Sequence, residues 1–283
     1  MSNAVSIAAR ARALFCVENP SIRRNEIRII LSLGTYGSTV SPMQDFDGIF
    51  PPPYGPRAYS VTGGNTTSFG DDMEGRERSI QALADFHAER LLAYAQISEA
   101  WDLVDGIAFE TVPVAREVTA IRRAVTSVAE SLRAEGKRTK PWWLTAVFPD
   151  GRCSETRIPG GERMRATDVA DLMVREETDG DGKVLVIPNG IGFNCVAVEH
   201  LHSLLDQFRE ACTQVLGVGG MEWPWLVIKP NGGDGWAESV AGNVDRARGQ
   251  GWGGLVVGGC CKAGPDEIAQ LASQLGQKKD RDY

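Results

Sequence analysis

The sequence lacks the features that would place this protein in a membrane or on a nucleic acid. Its apolar runs are all much shorter than the roughly 20 residues that a membrane-spanning helix needs. Basic residues are not in excess, because 30 Lys and Arg stand against 37 Asp and Glu and the formal net charge is −7. Nucleic acids and anionic membranes bind basic patches, so the charge balance predicts neither of them as a partner.

Signals for secretion and for a disulfide framework are also missing. The N-terminal stretch MSNAVSIAARARALF has neither the long apolar core nor the cleavage signature of a secretory peptide. Its two arginines and lack of acids weakly match a mitochondrial presequence, and a cytoplasmic helix fits the pattern better. Six cysteines without a framework of short spacings are typical of a reducing compartment. The sequence therefore predicts a cytoplasmic protein.

Two kinds of apolar segment alternate along the chain, short strand-like runs and amphipathic helical stretches. The predicted strands are Ile27–Leu33, Asp105–Phe109, Trp142–Phe148, Val184–Ile187, Trp225–Ile228 and Leu255–Val257. The predicted helices are Val5–Phe15, Arg76–Ile97, Ala115–Ala134, Ala166–Arg175, Glu199–Leu216, Ala237–Arg248 and Asp266–Leu275. A stretch rich in Pro and Gly, Ser41–Asp72, is predicted to be a long loop. The alternation predicts parallel βαβ units in a single domain over residues 1–283, with the carboxyl ends of the strands at one edge.

Three cysteines follow two of these predicted strands. Cys260 and Cys261 come after Leu255–Val257 and two glycines, and Cys195 ends the segment GIGFNC. Adjacent cysteines rarely bridge each other, because a trans peptide does not give the Cα separation that a disulfide requires. Three thiolates with one open position describe a zinc site that can bind and activate a substrate. Two alternatives stay open, namely small core residues after a strand and a redox-sensitive thiol pair formed by Cys260 and Cys261.

Four sequence segments together resemble the homocysteine S-methyltransferase family. They are GFNC, GGCC, the intervening KPNGGDGW and the preceding FETVP, and the resemblance extends from Arg28 to Leu275. It implies a (β/α)8 TIM barrel whose zinc ion is held by Cys195, Cys260 and Cys261, with homocysteine in the fourth position. The implied reaction transfers a methyl group from a sulfonium donor, S-methylmethionine or S-adenosylmethionine, to homocysteine and gives methionine. No cobalamin or folate module fits within this length.

Further site residues are expected at the carboxyl ends of other strands. By resemblance, Glu110 in FETVP pairs with the amino group of homocysteine; the alternative is a solvated carboxylate at the end of a strand. Asn231 in KPNGGD is predicted either to line the site or to turn the backbone, and Lys229 is either an interior charge or a ligand. Gly34 and Thr35 are predicted to shape the substrate pocket, because they also follow a strand. The remaining cysteines and histidines are expected to be structural: Cys16, Cys153, Cys212, His87, His200 and His202.

Two segments of the family pattern do not occur in this sequence. The family carries a DGGLGT-like turn and a TxTYQ-like segment on its first two strands, and the opening helix Val5–Phe15 resembles the helix before its third strand. We therefore expect an incomplete barrel of about six βα units, truncated at the N-terminus, with open edges that favour self-association. Such a chain is expected to have weak activity or none. The alternative function is a catalytically impaired relative that only binds zinc or a partner.

Overall fold

Six parallel strands in chain order form the sheet of the computed structural model, which describes residues 2–217 and 223–279. The strands are β1 (Ile30–Gly34), β2 (Gly106–Val112), β3 (Trp142–Ala146), β4 (Gly190–Asn194), β5 (Trp225–Lys229) and β6 (Leu255–Val257). Each strand pairs in parallel with the next one along the chain. All their carboxyl ends consequently lie at the same edge, as the alternating pattern predicted.

Helices connect the strands and cover one face of the sheet. They are α1 (Ser2–Glu18), α2 (Met73–Ala95), α3 (Ser98–Leu103), α4 (Ala115–Ala134), α5 (Ala166–Val174), α6 (Leu201–Leu216), α7 (Trp236–Ala247) and α8 (Pro265–Lys279). Seven of them match predicted helices, and α4 has the predicted bounds. The short helix α3 was not predicted, because six residues are too few to show a helical period. In the part of the chain that the structure describes, no helix has both the length and the apolarity to cross a bilayer.

Side chains alternate between the two faces of the sheet along every strand. One face packs against the helices in the main core and includes Leu31, Phe109, Leu144, Phe193 and Ile228. The opposite face carries a separate, smaller apolar cluster, which consists of Ile30, Ala108, Trp143, Trp225, Val227 and Val256. We call this second face the inner face. The functional side chains described below lie at its carboxyl end.

The sheet is open in the described residues. β1 pairs only with β2, and β6 pairs only with β5, whereas every strand of a closed barrel has two neighbours. Ser32 in the middle of β1 is exposed, which is the consequence of this open edge. The expected arrangement of about six βα units without closure is therefore confirmed, while self-association through the two edges stays a prediction.

The predicted fourth strand was wrong. Val184–Ile187 forms no strand, and β4 is instead the glycine-containing segment GIGFN at Gly190–Asn194. The cause is the close approach of β5, because a Cβ on Gly192 would lie 1.9 Å from the Val227 carbonyl oxygen. Only glycine fits there, so the strand has the composition of a turn. The Val184–Ile187 segment is a connection, held by hydrogen bonds from the buried Arg122 guanidinium.

The helix predicted at Val5–Phe15 is confirmed as α1, but the apolar residues whose spacing predicted it do not form a buried face. Ile7 and Leu14 lie on the surface, 65% and 60% exposed, although their spacing is that of a buried stripe. The helix instead buries Val5 and Arg12. Arg12 donates to Asp105 Oδ2 at 2.8 Å, so an ion pair rather than an apolar stripe orients this helix on the rest of the chain.

The predicted long loop is confirmed, since residues 41–72 contain neither a helix nor a strand. A fully buried guanidinium holds the loop in place. Arg116 at the start of α4 donates to the carbonyl oxygens of Gly48 at 3.3 Å and Thr67 at 3.1 Å, and it pairs with Glu155 at 3.3 Å. These contacts satisfy backbone groups that a loop without secondary structure would otherwise leave unpaired.

Candidate functional site

The three predicted ligand cysteines converge at the carboxyl edge of the sheet. Cys195 follows β4 directly, and Cys260 and Cys261 follow β6. Their sulfur atoms all lie within 4.8 Å of one another, and Cys195 Sγ is 4.0 Å from Cys261 Sγ. In a tetrahedral thiolate site with metal–sulfur distances of about 2.3 Å, the sulfur atoms lie about 3.8 Å apart. The three thiols therefore fit one metal ion, and the exposed Cys261 leaves one side of the cluster accessible.

Two of these sulfur atoms, those of Cys195 and Cys260, are in disulfide contact in the structure, with Cα atoms 5.4 Å apart. The adjacent cysteines Cys260 and Cys261 form no disulfide with each other, because a single trans peptide does not give the Cα separation that a disulfide requires. A disulfide uses two sulfurs and leaves the third unexplained, whereas a shared metal accounts for the convergence of all three. Binding of one metal ion by all three thiols requires this pair to be reduced.

The sequence reasoning missed Asn194, although it lies within the GFNC segment. Its side chain is almost fully buried and accepts hydrogen bonds at Oδ1 from the Thr111 amide at 2.9 Å and the Thr145 hydroxyl at 2.8 Å. A backbone N–H can only donate, so these contacts fix which way the amide points. The Nδ2 group consequently faces the thiols, 3.5 Å from Cys195 Sγ and 3.8 Å from Cys260 Sγ. Such donors favour the thiolate form of a cysteine.

The backbone around the site is locally strained. Three non-glycine residues have left-handed conformations: Thr111 with φ 62°, Cys195 with φ 53° and Lys262 with φ 63°. A β-branched residue such as Thr111 is a true outlier there, and each such residue costs on the order of 1–3 kcal/mol. Thr111 also lies in an irregularity of the β2–β3 pairing between Phe109 and Val112. Bulges of this kind redirect side chains at functional sites, and this one redirects the side chains at the end of β2.

The segment after β5 connects the two parts of the thiol cluster through its backbone. The Asn231 amide donates to the Val196 carbonyl at 2.8 Å, and the Gly232 amide donates to the Cys261 carbonyl at 2.7 Å. The Cys260 amide in turn donates to the Pro230 carbonyl at 2.8 Å. The approach is so close that a Cβ on Gly232 would lie 2.2 Å from the Lys262 carbonyl oxygen. The backbone of Asn231 thus contributes to this connection, its buried Oδ1 has no partner among the described residues, and its role in lining the site stays a prediction.

Glu110 lies at the same carboxyl edge of the sheet as the thiol cluster, and its carboxylate pairs with Lys229. The Lys229 Nζ donates to Glu110 Oε1 at 2.5 Å, and the two side chains are 24% and 14% exposed. These residues lie on β5 and β2, which are separated by two strands and would be about 14 Å apart in a flat sheet. The sheet must therefore curve, so that its inner face is concave. Lys229 is an interior charge rather than a surface lysine.

Gly34 and Thr35 lie at the carboxyl end of β1, where Gly34 is paired with Glu110. The Thr35 hydroxyl donates to Glu117 Oε2 at 2.7 Å, and the Tyr36 amide donates to Glu117 Oε1 at 2.8 Å. Burial alone would raise the pKa of Glu117, but the hydrogen bond and charge of His87 and the two loop donors outweigh it and lower the pKa. Thr35 thus anchors the loop after β1, and its predicted role in substrate binding stays a prediction.

Four of the remaining cysteines and histidines have the structural positions that the sequence predicted. Cys153 and Cys212 are buried, and burial raises the pKa of each thiol to about 12, so both stay protonated at neutral pH. His87 is fully buried, as expected of a core histidine, and its Nε2 donates to Glu117 at 2.9 Å. His202 lies on the exposed surface of α6.

The fold and the site together define the class of protein. It is an α/β protein of the TIM-barrel type that carries a thiol cluster at the carboxyl edge of its sheet. The sequence model of the homocysteine S-methyltransferase family matches residues 1–275. This chain belongs to the homocysteine S-methyltransferase family. The family relation that the motifs suggested is thereby confirmed.

Known proteins similar to the chain include both plant sequences and bacterial structures. Homocysteine S-methyltransferase 3 of Arabidopsis thaliana is 25% identical over 90% of this chain, and homocysteine S-methyltransferase 2 of Zea mays is 22% identical over 99%. The chain spans 59% and 69% of the length of these two relatives. The metallated form of the homocysteine methyltransferase MmuM from Escherichia coli superposes with a TM-score of 0.59 at 21% identity, covering 96% of this chain and 69% of that chain. At this identity the structural likeness establishes the fold.

Proposed function

We propose that the protein catalyses zinc-dependent methyl transfer from a sulfonium donor, S-methylmethionine or S-adenosylmethionine, to homocysteine, giving methionine. The observation that carries the proposal is the convergence of three thiols within 4.8 Å beside the Glu110 carboxylate, in a chain of this family. Soft thiolate ligands favour zinc over the hard cations that prefer oxygen. The set of three ligands also leaves a fourth position for a substrate, which is typical of catalytic zinc sites.

The chemistry at the site depends on a substrate thiol that reacts as a thiolate. When bound by Cys195, Cys260 and Cys261, zinc supplies a positive charge that lowers the pKa of the substrate thiol. The Nδ2 group of Asn194 donates towards the sulfurs of Cys195 and Cys260 and so helps to keep these ligands deprotonated. Glu110 binds the substrate ammonium group and thereby orients the substrate sulfur.

The transfer itself is a single displacement. The substrate sulfur, having released its proton to solvent, attacks the methyl carbon of the donor sulfonium, and a new carbon–sulfur bond forms. The bond between the methyl carbon and the donor sulfur breaks, and its electron pair neutralises the donor sulfur as a thioether. Positive charge is therefore lost from the donor as the methyl group moves. What the protein contributes is alignment of the two sulfur atoms with the methyl carbon, which is a proximity effect.

Methionine formation tests the proposal directly. Reduced, zinc-loaded protein is incubated with homocysteine and each sulfonium donor in turn, and methionine is measured by mass spectrometry. Weak activity is expected with one donor and is expected to disappear in Cys261→Ser, because a neutral hydroxyl replaces a thiolate ligand poorly. Cys212→Ser is the matched control, since Cys212 is a buried thiol on α6 outside the cluster. Equal activity in the wild type and in Cys261→Ser would refute the proposal.

A catalytically impaired relative is the second candidate, and the open sheet favours it. Exposed Ser32 on β1 and the single pairing of β6 leave the inner face accessible at two edges. This candidate predicts zinc and homocysteine binding without methionine formation from either donor. The same assay, combined with calorimetry of homocysteine binding, distinguishes the two candidates.

A further inference from the structure

The ion pair between Lys229 and Glu110 suggests which thiols the site selects. Both side chains lie at the carboxyl end of the inner face, although their strands are not neighbours. The surrounding inner-face residues on β5 and β6 are apolar, Val227 and Val256. Removing two charges from water has a desolvation cost that their mutual attraction only partly offsets. Stability alone is therefore a weak reason for an ion pair at this position.

The ion pair lies next to the thiol cluster. Glu110 directly precedes Thr111, whose amide and hydroxyl are both hydrogen-bonded to Asn194. Asn194 in turn faces two of the three thiols, and the Lys229 carbonyl accepts a hydrogen bond from the Cys195 amide at 3.1 Å. The ion pair and the thiol cluster are therefore linked through Thr111 and Asn194 at the carboxyl end of the inner face.

We propose that Lys229 is a specificity-determining residue that binds the carboxylate of the substrate while Glu110 binds its ammonium group. This inference rests on the proposed function and deepens it by assigning the residue that recognises the carboxylate of homocysteine. The ammonium and carboxylate of a zwitterion are attached to one carbon atom, and the two protein charges are also adjacent. When the substrate binds, Lys229 and Glu110 separate from each other. Lys229 then pairs with the substrate carboxylate and Glu110 with the substrate ammonium group, so no charge is left unpaired.

Thiols with only one charged group are poorer ligands under this scheme. A thiol that carries only an amine must compete with Lys229 for Glu110, and a thiol that carries only a carboxylate must compete with Glu110 for Lys229. In both cases the ion pair breaks and one protein charge loses its partner in a half-buried site. The internal ion pair therefore discriminates against both kinds of analogue.

Three thiols of the same chain length test this inference by calorimetry on reduced, zinc-loaded protein. They are homocysteine, homocysteamine, which lacks the carboxylate, and γ-mercaptobutyrate, which lacks the amine. The wild type is expected to bind homocysteine most tightly. Lys229→Gln is expected to weaken homocysteine binding by about tenfold to a hundredfold, since a charge-assisted hydrogen bond is lost. Homocysteamine is expected to bind this variant at least as tightly as the wild type, because Glu110 is then free.

Matched variants keep the test interpretable. Lys183→Gln removes a lysine from a surface ion pair with Glu130 and should change no affinity. Glu110→Gln should weaken homocysteamine while γ-mercaptobutyrate binds at least as tightly as before, which is the mirror image of the Lys229→Gln result. Lys229→Arg keeps the charge and should keep the preference for homocysteine. These relative affinities do not depend on how stable any one variant is.

The possible failures are distinguishable. If the zinc-loaded wild type binds none of the three thiols, the proposed function is wrong and this inference falls with it. If homocysteine binds but the ratio of its affinity to that of homocysteamine is the same in the wild type and Lys229→Gln, the inference alone is overturned.

Discussion

Asn194 and Thr111 are joined by two hydrogen bonds that reach across β3. The Thr111 amide donates to Asn194 Oδ1 at 2.9 Å, and Asn194 Nδ2 donates to the Thr111 hydroxyl at 2.7 Å. The same Nδ2 group faces the sulfur atoms of Cys195 and Cys260. The buried Asn194 side chain thus links the irregular end of β2, which carries Glu110, to the thiol cluster. This link fixes the position of the end of β2 relative to the thiols.

The first prediction concerns this amide. Asn194→Ala removes the donor to both thiols and the support of Thr111, and we expect zinc affinity to fall by about tenfold to a hundredfold, as is typical for groups that support metal ligands. Competition with a chromophoric chelator measures this affinity. Asn243→Ala is the control and should leave zinc affinity unchanged, because this asparagine donates to the Ser239 carbonyl within α7, outside the site. Equal zinc affinity in Asn194→Ala and the wild type would contradict the role.

A second prediction separates two adjacent glycines. Gly232→Ala places a Cβ 2.2 Å from the Lys262 carbonyl oxygen, so the turn that carries Cys261 must shift. We expect this variant to lose most of its bound zinc. In Gly233→Ala the new Cβ meets no atom within 4 Å, and zinc content should stay at the wild-type level. Metal analysis of both variants provides the comparison, and retention of zinc by both would show that this close approach does not position the cluster.

The third prediction tests how the long loop is held. Arg116→Met leaves Glu155 without its charged partner and removes donors from the Gly48 and Thr67 carbonyls. Breaking a buried ion pair of this kind costs about 3–5 kcal/mol. Urea unfolding should show this loss, and hydrogen exchange should increase across residues 41–72. Arg123→Met is the control, because Arg123 pairs with a largely exposed Glu77 and such pairs contribute about 0–1 kcal/mol. Loop protection equal to that of the wild type would contradict the assignment.

The fourth prediction concerns pH and the ion pair that orients α1. Burial alone would raise the pKa of Asp105, but hydrogen bonds from the Ile29 amide and Arg12, with the charges of Arg12 and Arg28, lower it. A carboxyl group with a depressed folded-state pKa stabilises the fold above its unfolded pKa of about 3.9, and this contribution is lost as the pH falls through the folded pKa. Asp105→Asn should therefore be less stable than the wild type by about 1–3 kcal/mol at pH 7.

This difference in unfolding free energy should shrink progressively below about pH 4, because the wild-type carboxyl group becomes protonated. Denaturant titrations at several pH values measure it. Asp102→Asn, at an exposed position of α3, should stay close to the wild type throughout. A difference for Asp105→Asn that persists unchanged below the folded pKa would show that the carboxylate charge is not the cause.

The sequence was sufficient to predict the parts of the site that depend on strand order. Parallel strands bring their carboxyl ends to one edge, so Cys195, Cys260 and Cys261 could be expected together. Side-chain contacts between distant segments were not predictable in this way. Asn194 contacts Thr111 across 83 residues, and Lys229 contacts Glu110 across 119. No local period encodes such contacts, and they depend on how strongly the sheet curves.

Local patterns failed where a tertiary contact overrode them. β4 has the composition of a turn because Gly192 faces the backbone of β5, and the β-branched run Val184–Ile187 was taken for the strand instead. In α1 the apolar spacing of Ile7 and Leu14 correctly predicted a helix but does not mark its buried face, where Arg12 forms an ion pair with Asp105. In both places the contact that overrides the local pattern is made with a residue distant in sequence, Val227 for Gly192 and Asp105 for Arg12.

X-ray absorption at the zinc edge, with and without homocysteine, tests the central claim most directly. The measurement counts the sulfur atoms around the metal in the reduced protein. Three sulfurs at about 2.3 Å are expected in the free protein, from Cys195, Cys260 and Cys261, and four after homocysteine is added. A sulfur count that does not rise with homocysteine, or a reduced protein that binds no zinc, would contradict the account.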